Sequence, residues 1–145
     1  MAANPYGSAR TYRVNAVLTA SPGQLVLMLY DGALKSLAMA QEAFALPPQD
    51  LHRIEIINQH LLKAQAILNE LRGGLNMEAG GDFALTMSRL YDYHNRRLLE
   101  ANIRKQVEPV IEVERLVRDL RDAWAEMLSK REETGGPSER ICSVA

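Results

Sequence analysis

The stretch Ser21-Pro22-Gly23-Gln24 begins the first helix and determines how the rest of the chain can fold. Serine suits the N-cap, proline suits the first helical position, and a glutamine two residues later can return a hydrogen bond to the cap. Apolar residues then recur at helical spacing as far as Phe44, and Pro47-Pro48 prevents any continuation. The sequence therefore predicts a sharply started helix that ends at about Phe44.

Two further helices are predicted between this segment and residue 104. Asp50 is suited to cap a second helix that ends near Arg72, because Gly73-Gly74 is a natural stop. Residues 75–82 read as a turn, and Asp82 can cap a third helix that reaches about Arg104. Both helices carry apolar residues at spacings of three and four, which predicts one buried stripe on each. The stripes are Ile54, Ile57, Leu61, Ala64, Leu68 and Leu71, then Phe83, Met87, Leu90, Tyr91, His94, Leu98 and Ala101.

A fourth helix is predicted from near Gln106 to about residue 130, with Pro109 in its first turn, where proline is tolerated. Its apolar stripe faces away from a densely charged side that runs from Glu112 to Glu126. The stripe consists of Val110, Val113, Leu116, Val117, Leu120, Trp124, Met127 and Leu128. Four amphipathic helices joined by short loops favour an antiparallel four-helix bundle.

The two ends of the chain lack this periodicity. Residues 1–20 contain Pro5 and Gly7 and are predicted to form an extended N-terminal arm. Residues 131–145 contain Gly135-Gly136-Pro137 and few apolar residues, which is typical of a disordered tail. The predicted organisation is an all-α protein with an arm at 1–20, a bundle domain at 21–130 and a tail at 131–145.

Composition excludes several classes of function. The formal net charge is −1, so no overall field attracts nucleic acid. No apolar run is long enough for a signal peptide or a membrane-spanning helix, so we expect neither secretion nor membrane insertion. The single cysteine, Cys142, cannot form an internal disulfide, which favours a reducing, cytoplasmic location.

The sequence shows no catalytic motif, and we expect neither a metal nor a cofactor. His52, His60 and His94 lack the spacing of zinc or di-iron ligands. His94 lies in the middle of an apolar stripe and is predicted to be a hydrogen-bonded core residue. One alternative remains, because His60 and Lys63 match the His-x-x-Lys of histidine phosphotransfer domains, although Ala64 stands where those domains usually carry glycine. A non-enzymatic binding protein is the main expectation.

Apolar residues outside the predicted stripes indicate a binding surface. The first helix has only a narrow polar strip, so a simple bundle leaves part of its apolar surface uncovered. The arm carries apolar residues without a core of its own, and it either completes the core or forms a displaceable cover over a partner groove. The candidate groove residues are Tyr12, Val14, Val17 and Leu18 in the arm, Leu27, Tyr30, Leu34 and Leu37 in the first helix, and Leu62, Leu85, Leu99 and Ile103 beyond it.

Three stretches of the chain, in order and over about residues 10–130, resemble the flagellar secretion chaperone family FliS. Any one stretch is a weak signal, and their combination is specific. The stretches are Thr19–Leu25 with Met28–Ala33, then Leu75–Glu78 with Gly80-Gly81, Leu90–Tyr93 and Arg96–Asn102, and finally Arg121–Trp124.

The resemblance implies an export chaperone built as a four-helix bundle with an N-terminal segment lying over it. It implies that the protein binds the C-terminal segment of flagellin, prevents premature polymerisation and delivers it to the flagellar export gate. Flagellar regulatory proteins are further partners that the resemblance allows. The region of Pro109 and the tail beyond Lys130 depart from the family pattern.

Overall fold

The computed structural model describes residues 20–75 and 77–134, apart from the side chains of residues 77–79, 133 and 134. Four helices account for most of this part of the chain, which confirms the predicted helix count. They are α1 (Pro22–Phe44), α2 (Arg53–Gly73), α3 (Met77–Arg104) and α4 (Glu108–Thr134). Helix α1 packs on α2 and α4, and α3 packs on the same two helices. Helices α1 and α3 therefore lie diagonally opposite in a bundle of square cross-section.

The start of α1 has the predicted capping box. The Gln24 backbone N–H donates to Ser21 Oγ over 3.2 Å, and the Ser21 backbone N–H donates to Gln24 Oε1 over 3.4 Å. Pro22 occupies the first turn, and the helix ends at Phe44 as predicted. Because these bonds satisfy N–H groups that the helix cannot satisfy itself, they fix the residue at which α1 begins.

Side-chain contacts establish that neighbouring helices run antiparallel. Near the start of α1, the Gly23 carbonyl accepts a hydrogen bond of 2.8 Å from Trp124 Nε1, late in α4. Near the end of α1, Gln41 donates to the carboxylate of Glu114, early in α4. Helices α2 and α3 pair in the same opposed order, as their seam shows below. The predicted antiparallel bundle is confirmed.

The predicted stripes form most of the core, with two exceptions. Ile54 is 60% exposed, since it lies in the first turn of α2, at the margin of the bundle. Phe83 is 50% exposed, and Ala84 is buried in its place. The buried apolar residues that form the core are Tyr30, Ala33, Leu37, Ala40, Ala43, Ile57, Leu61, Ala64, Leu68, Leu71, Met87, Tyr91, Leu98, Ala101, Val110, Val113 and Val117.

The backbone of α3 is interrupted near its beginning. Gly81 has φ 53° and ψ −127°, a conformation that side chains disfavour, and it interrupts the helix. The helical segment starts at Met77 instead of after Asp82, so the turn predicted for residues 75–82 is partly helical. Phe83 was assigned to the stripe one position too early, because spacings of three and four place Ala84 and not Phe83 on the buried face. The buried residues on this face are Ala84, Met87, Tyr91, His94, Leu98 and Ala101.

Two other boundaries differ from prediction. Asp50 does not cap α2 directly; its carboxylate accepts the His52 N–H over 2.9 Å and stabilises the turn that precedes the helix. Helix α4 continues to Thr134, so the first residues of the predicted disordered tail are helical. The arm at 1–19 and the tail at 135–145 lie outside the described residues, so their predicted states stay predictions.

Candidate functional site

An apolar cavity of about 110 Å³ lies at the end of the bundle where α1 begins. The first half of α1, the end of α2, the beginning of α3 and the end of α4 all contribute to its wall. The lining residues are Val26, Leu29, Tyr30, Glu70, Leu71, Gly74, Leu75, Phe83, Met87, Tyr91 and Trp124. All but Glu70 and Gly74 present apolar or aromatic side chains, so the cavity suits an apolar guest.

A pair of buried tyrosines joins the diagonal helices at this cavity. Tyr30 Oη of α1 and Tyr91 Oη of α3 lie 2.6 Å apart, and both side chains are almost fully buried. Burial raises the pKa of both hydroxyl groups above the usual 10.0, because the charged phenolate loses its hydration. Each hydroxyl therefore remains neutral and depends on the other for its hydrogen bond.

Two contacts from α4 hold the same end together. Arg121 Nε donates to Asp31 Oδ1 over 2.8 Å, next to Tyr30, and Trp124 places its indole against the cavity while donating to Gly23. The exposed ion pair contributes little by itself. The contacts matter mainly because they dock the end of α4 on the beginning of α1.

These contacts bring together the three separate stretches of sequence that carry the family resemblance. Tyr30 and Asp31 belong to the first stretch, Leu75 and Tyr91 to the second, and Trp124 to the third. In the structure all three stretches meet at the cavity. The pattern therefore marks the cavity end of the bundle with residues from all three stretches, while Arg96–Asn102 of the second stretch continues along α3 towards Asn58 of α2.

A second feature is the outer seam between α2 and α3, which is bridged by side-chain amides. Asn102 Nδ2 donates to Asn58 Oδ1 over 2.8 Å, and Asn95 Nδ2 donates to Asn69 Oδ1 over 2.8 Å. Gln65 Nε2 also donates to the Asn95 carbonyl over 3.2 Å. These bonds give the register of the two antiparallel helices.

Two leucines lie between the amide bridges. Leu62 falls between Asn58 and Gln65 on α2, and Leu99 falls between Asn95 and Asn102 on α3, so the register places them opposite one another. Leu62 is 51% exposed and Leu99 is 50% exposed. The α2–α3 seam, as these amides and leucines are called below, is a polar frame around exposed apolar side chains.

The predicted groove residues separate into four sets. Leu62, Leu85, Leu99 and Ile103 are all exposed on α2 and α3. Tyr30 and Leu37 are core residues, so their predicted position outside the core-facing side of α1 was wrong; they point to the bundle axis. Leu27 and Leu34 are partly buried, and Leu34 packs against the core. Tyr12, Val14, Val17 and Leu18 lie outside the described residues.

Sequence reasoning missed several residues that the structure brings together. Leu71, Leu75 and Met87 line the cavity, yet their spacing along the chain gives no sign of it, because the cavity forms only when residues of all four helices come together. The exposed Ile54 was assigned to the core, and Leu51, the most exposed large apolar residue in the described part of the chain, was not singled out. Its position before α2 and shortly after the helix-breaking prolines could have indicated that it is exposed.

Two histidines were weighed in the sequence. His94 is buried as predicted, but neither ring nitrogen has a hydrogen-bond partner among the described residues, so the prediction of a hydrogen-bonded histidine was wrong. Burial lowers the pKa of His94 to about 4, against a smaller opposing effect of the Glu112 carboxylate. His60 is partly buried beside Met39, Leu46 and Ile56, on the groove between α1 and α2.

Within residues 20–75 and 77–134, no three histidine, cysteine, aspartate or glutamate side chains lie close enough to hold a metal ion. None of the four described helices is apolar enough over a sufficient length to span a membrane.

Fold and site together define a small helical-bundle protein with an apolar cavity at one end and apolar side chains left exposed between two of its helices. The family model described as flagellar protein FliS matches residues 2–131. The chain therefore belongs to the FliS family.

Individual relatives agree with this assignment. The chain is 40% identical over 134 residues to the flagellar secretion chaperone FliS of Bacillus subtilis, covering 92% of this chain and 93% of that protein. It is 40% identical over 119 residues to the protein of the same name from Salmonella typhimurium, covering 80% and 83% of the two chains. For the Escherichia coli protein of that name the identity is 42% over 115 residues, covering 79% and 81%.

Proposed function

We propose that this protein binds the C-terminal segment of flagellin in the cytoplasm, prevents its premature polymerisation and delivers it to the flagellar export gate. The relatives are named flagellar secretion chaperones, which supports the chaperone role. The α2–α3 seam is the observation that carries the binding step. We assign no catalytic step to the protein.

The seam has the chemistry that a helical segment of a partner requires. Leu62 and Leu99 offer apolar contact at the centre, and Ile103 and Leu85 extend the apolar surface along α3. The flanking amides can both donate and accept hydrogen bonds, so polar side chains beside the partner's apolar stripe would be satisfied. An amphipathic helix laid in the seam would cover these residues with its apolar face.

The arm is the second part of the proposal. Residues from about Tyr6 to Leu18 cover an apolar surface in the empty chaperone and move when flagellin binds. The cavity supports this idea by its position, because Val26 and Leu29 line it within two turns of the residue at which the arm joins α1. A cover of two or three apolar contacts contributes a few kcal/mol, which a longer partner could replace.

Titration calorimetry with flagellin's C-terminal segment tests the binding step. We expect one-to-one binding with a negative change in heat capacity, because apolar surface is buried. Leu99→Ser should weaken binding about threefold to tenfold, because the half of the leucine side chain that is exposed in the free protein would be buried by the partner. No detectable binding at tens of micromolar would refute the proposed function.

Ile111 provides a matched control. It is 49% exposed, nearly the same as Leu99, but it lies on α4 away from the seam. Ile111→Ser should leave the affinity unchanged. If Ile111→Ser and Leu99→Ser weaken binding equally, the seam is not the binding surface.

The arm is tested by hydrogen exchange in the intact chain. Amides from Tyr12 to Leu18 should change their protection when the flagellin segment binds, and unchanged protection would rule out displacement. The phosphotransfer alternative is tested separately with a phosphorylated response regulator. Label transfer that is lost in His60→Gln would support it.

A further inference from the structure

The outer side of α1 carries apolar side chains that neither the cavity nor the seam uses. Met28 and Met39 are both exposed, and their separation of eleven positions is just over three helical turns, so they lie on one face. They are separated by about 16 Å along the helix axis. Methionine at an exposed position is typical of surfaces that accept partner helices, because its flexible side chain adapts to different shapes.

Helix α2 forms the other wall of this surface. At one end, an ideal Cβ on Gly32 would lie 3.4 Å from Ile67 Cδ1, so the two helices approach closely there. At the other end, Met39 and His60 line a shallow cavity of about 200 Å³ together with Leu46 and Ile56. The groove between α1 and α2 therefore has apolar contact sites at both ends.

The charges along the groove are arranged unevenly. Lys35 lies between Gly32 and Met39, and Lys63 lies between His60 and Ile67, so antiparallel packing places both lysines in the middle. Both are exposed, and neither has an ion-pair partner among the described residues. Glu42 and Glu70 lie one turn further out, at opposite ends. The groove is thus positive at its centre and negative at its ends.

We propose that the face formed by Met28, Gly32, Lys35 and Met39 of α1 with Lys63 and Ile67 of α2 binds an amphipathic helix with an acidic centre. To match the spacing of Met28, Gly32 and Met39, the partner helix requires one apolar residue, a second about four residues later and a third about eleven residues after the first. The acidic residue falls about seven residues after the first, where it meets the two lysines. Basic residues at the ends of the partner complement Glu42 and Glu70.

Charge argues against the chain's own arm as the occupant. Residues 1–20 contain Arg10 and Arg13 and no aspartate or glutamate, so the arm would bring like charge to Lys35 and Lys63. The surface is also separate from the α2–α3 seam, because the outer side of α1 faces away from its diagonal neighbour α3. A partner on this face and flagellin in the seam would occupy different sides of the bundle.

Methionine-methyl NMR on the full chain tests the proposal. The probes are two synthetic helical peptides with leucines at the three stated positions, which differ only in a central glutamate or lysine. We expect the glutamate peptide to shift the methyl signals of Met28 and Met39 and to leave the buried Met87 unchanged. The lysine peptide should bind about threefold to tenfold more weakly at low salt, as expected for two exposed ion pairs.

Charge reversal provides the matched control. Lys35→Glu with Lys63→Glu should invert the preference between the peptides, and the corresponding double glutamine variant should abolish it. Circular dichroism confirms that both variants remain helical. Equal binding of the two peptides, a preference that survives charge reversal, or signals that depend on protein concentration in the absence of peptide would overturn the proposal. The last of these results would show that a second copy of the chain covers the face.

Discussion

For the buried Tyr30–Tyr91 pair, we predict that removing one hydroxyl group destabilises the fold more than removing both. Replacing either tyrosine with phenylalanine removes one hydroxyl and leaves the other buried without its partner. An unsatisfied buried polar group costs about 1–3 kcal/mol, whereas an apolar replacement of both partners is nearly neutral. Each single variant should therefore be less stable than the double variant Tyr30→Phe/Tyr91→Phe. For a chain of this size the single variants should melt about 3–10 °C lower.

Urea denaturation followed by circular dichroism measures these differences directly. Tyr93→Phe is the control, because Tyr93 donates to Glu112 over 3.0 Å and that carboxylate keeps its bond to Arg97. Its cost should be no more than about 1 kcal/mol. If the double variant loses the sum of the two single losses, the hydroxyls do not depend on one another and the reasoning is refuted.

The same pair should make the fold sensitive to alkali. The pKa values of both hydroxyls are raised in the folded state, so the unfolded chain ionises first as the pH rises above about 10. The stabilisation is complete below that pH and is lost above it. The double phenylalanine variant should lose less stability than the parent chain between pH 9 and 11, as measured by urea midpoints.

Three further predictions concern other parts of the bundle. The pKa of His94 is about 4 in the folded chain and 6.5 in the unfolded chain, so the unfolded chain binds the proton first and the free energy of unfolding should fall by roughly 3 kcal/mol between pH 6.5 and pH 4. Urea midpoints should show no such loss in His94→Leu. Gly81→Ala should destabilise the fold by about 1–3 kcal/mol through backbone strain alone, since nothing lies within 4 Å of an added Cβ. The control Gly73→Ala, in equally open space but at helical φ, should be neutral or stabilising. Equal losses of stability in the two variants would contradict this explanation. Deleting residues 2–13 should raise dye binding or self-association of the empty chaperone, whereas a sharp fall in melting temperature would show that the arm is core.

Local signals were sufficient for most of the fold. The Ser21–Gln24 capping box and the double proline after α1 act over a few residues, so sequence alone located that helix. The stripe of α4 was predicted completely, since every member is buried or partly buried. Periodicity is reliable where the backbone is regular and both ends of a helix are packed.

The site was less predictable because it depends on which helix lies where. From the sequence, Tyr30 was placed on the surface of a helix that is apolar almost all round. Its side chain points into the bundle because its hydroxyl group bonds to that of Tyr91 on the diagonal helix. The two stretches containing these tyrosines were recognised as a family pattern without any sign that they touch. A residue's neighbours across a bundle follow from the register and arrangement of helices, and neither is encoded within one helix.

The amides of the α2–α3 seam explain how this bundle can be stable and still leave leucines uncovered. Apolar residues in place of Asn58 and Asn102 would draw the two helices together over a wider dry contact, and Leu62 and Leu99 would become part of it. Amide pairs instead fix the distance by hydrogen bonds that contribute only about 1 kcal/mol each. Exposed apolar surface of this kind is a liability in a free protein and an advantage in one that must hold a partner helix. The buried motif residues at the cavity supply the rigid support, and the polar seam keeps the proposed binding surface open.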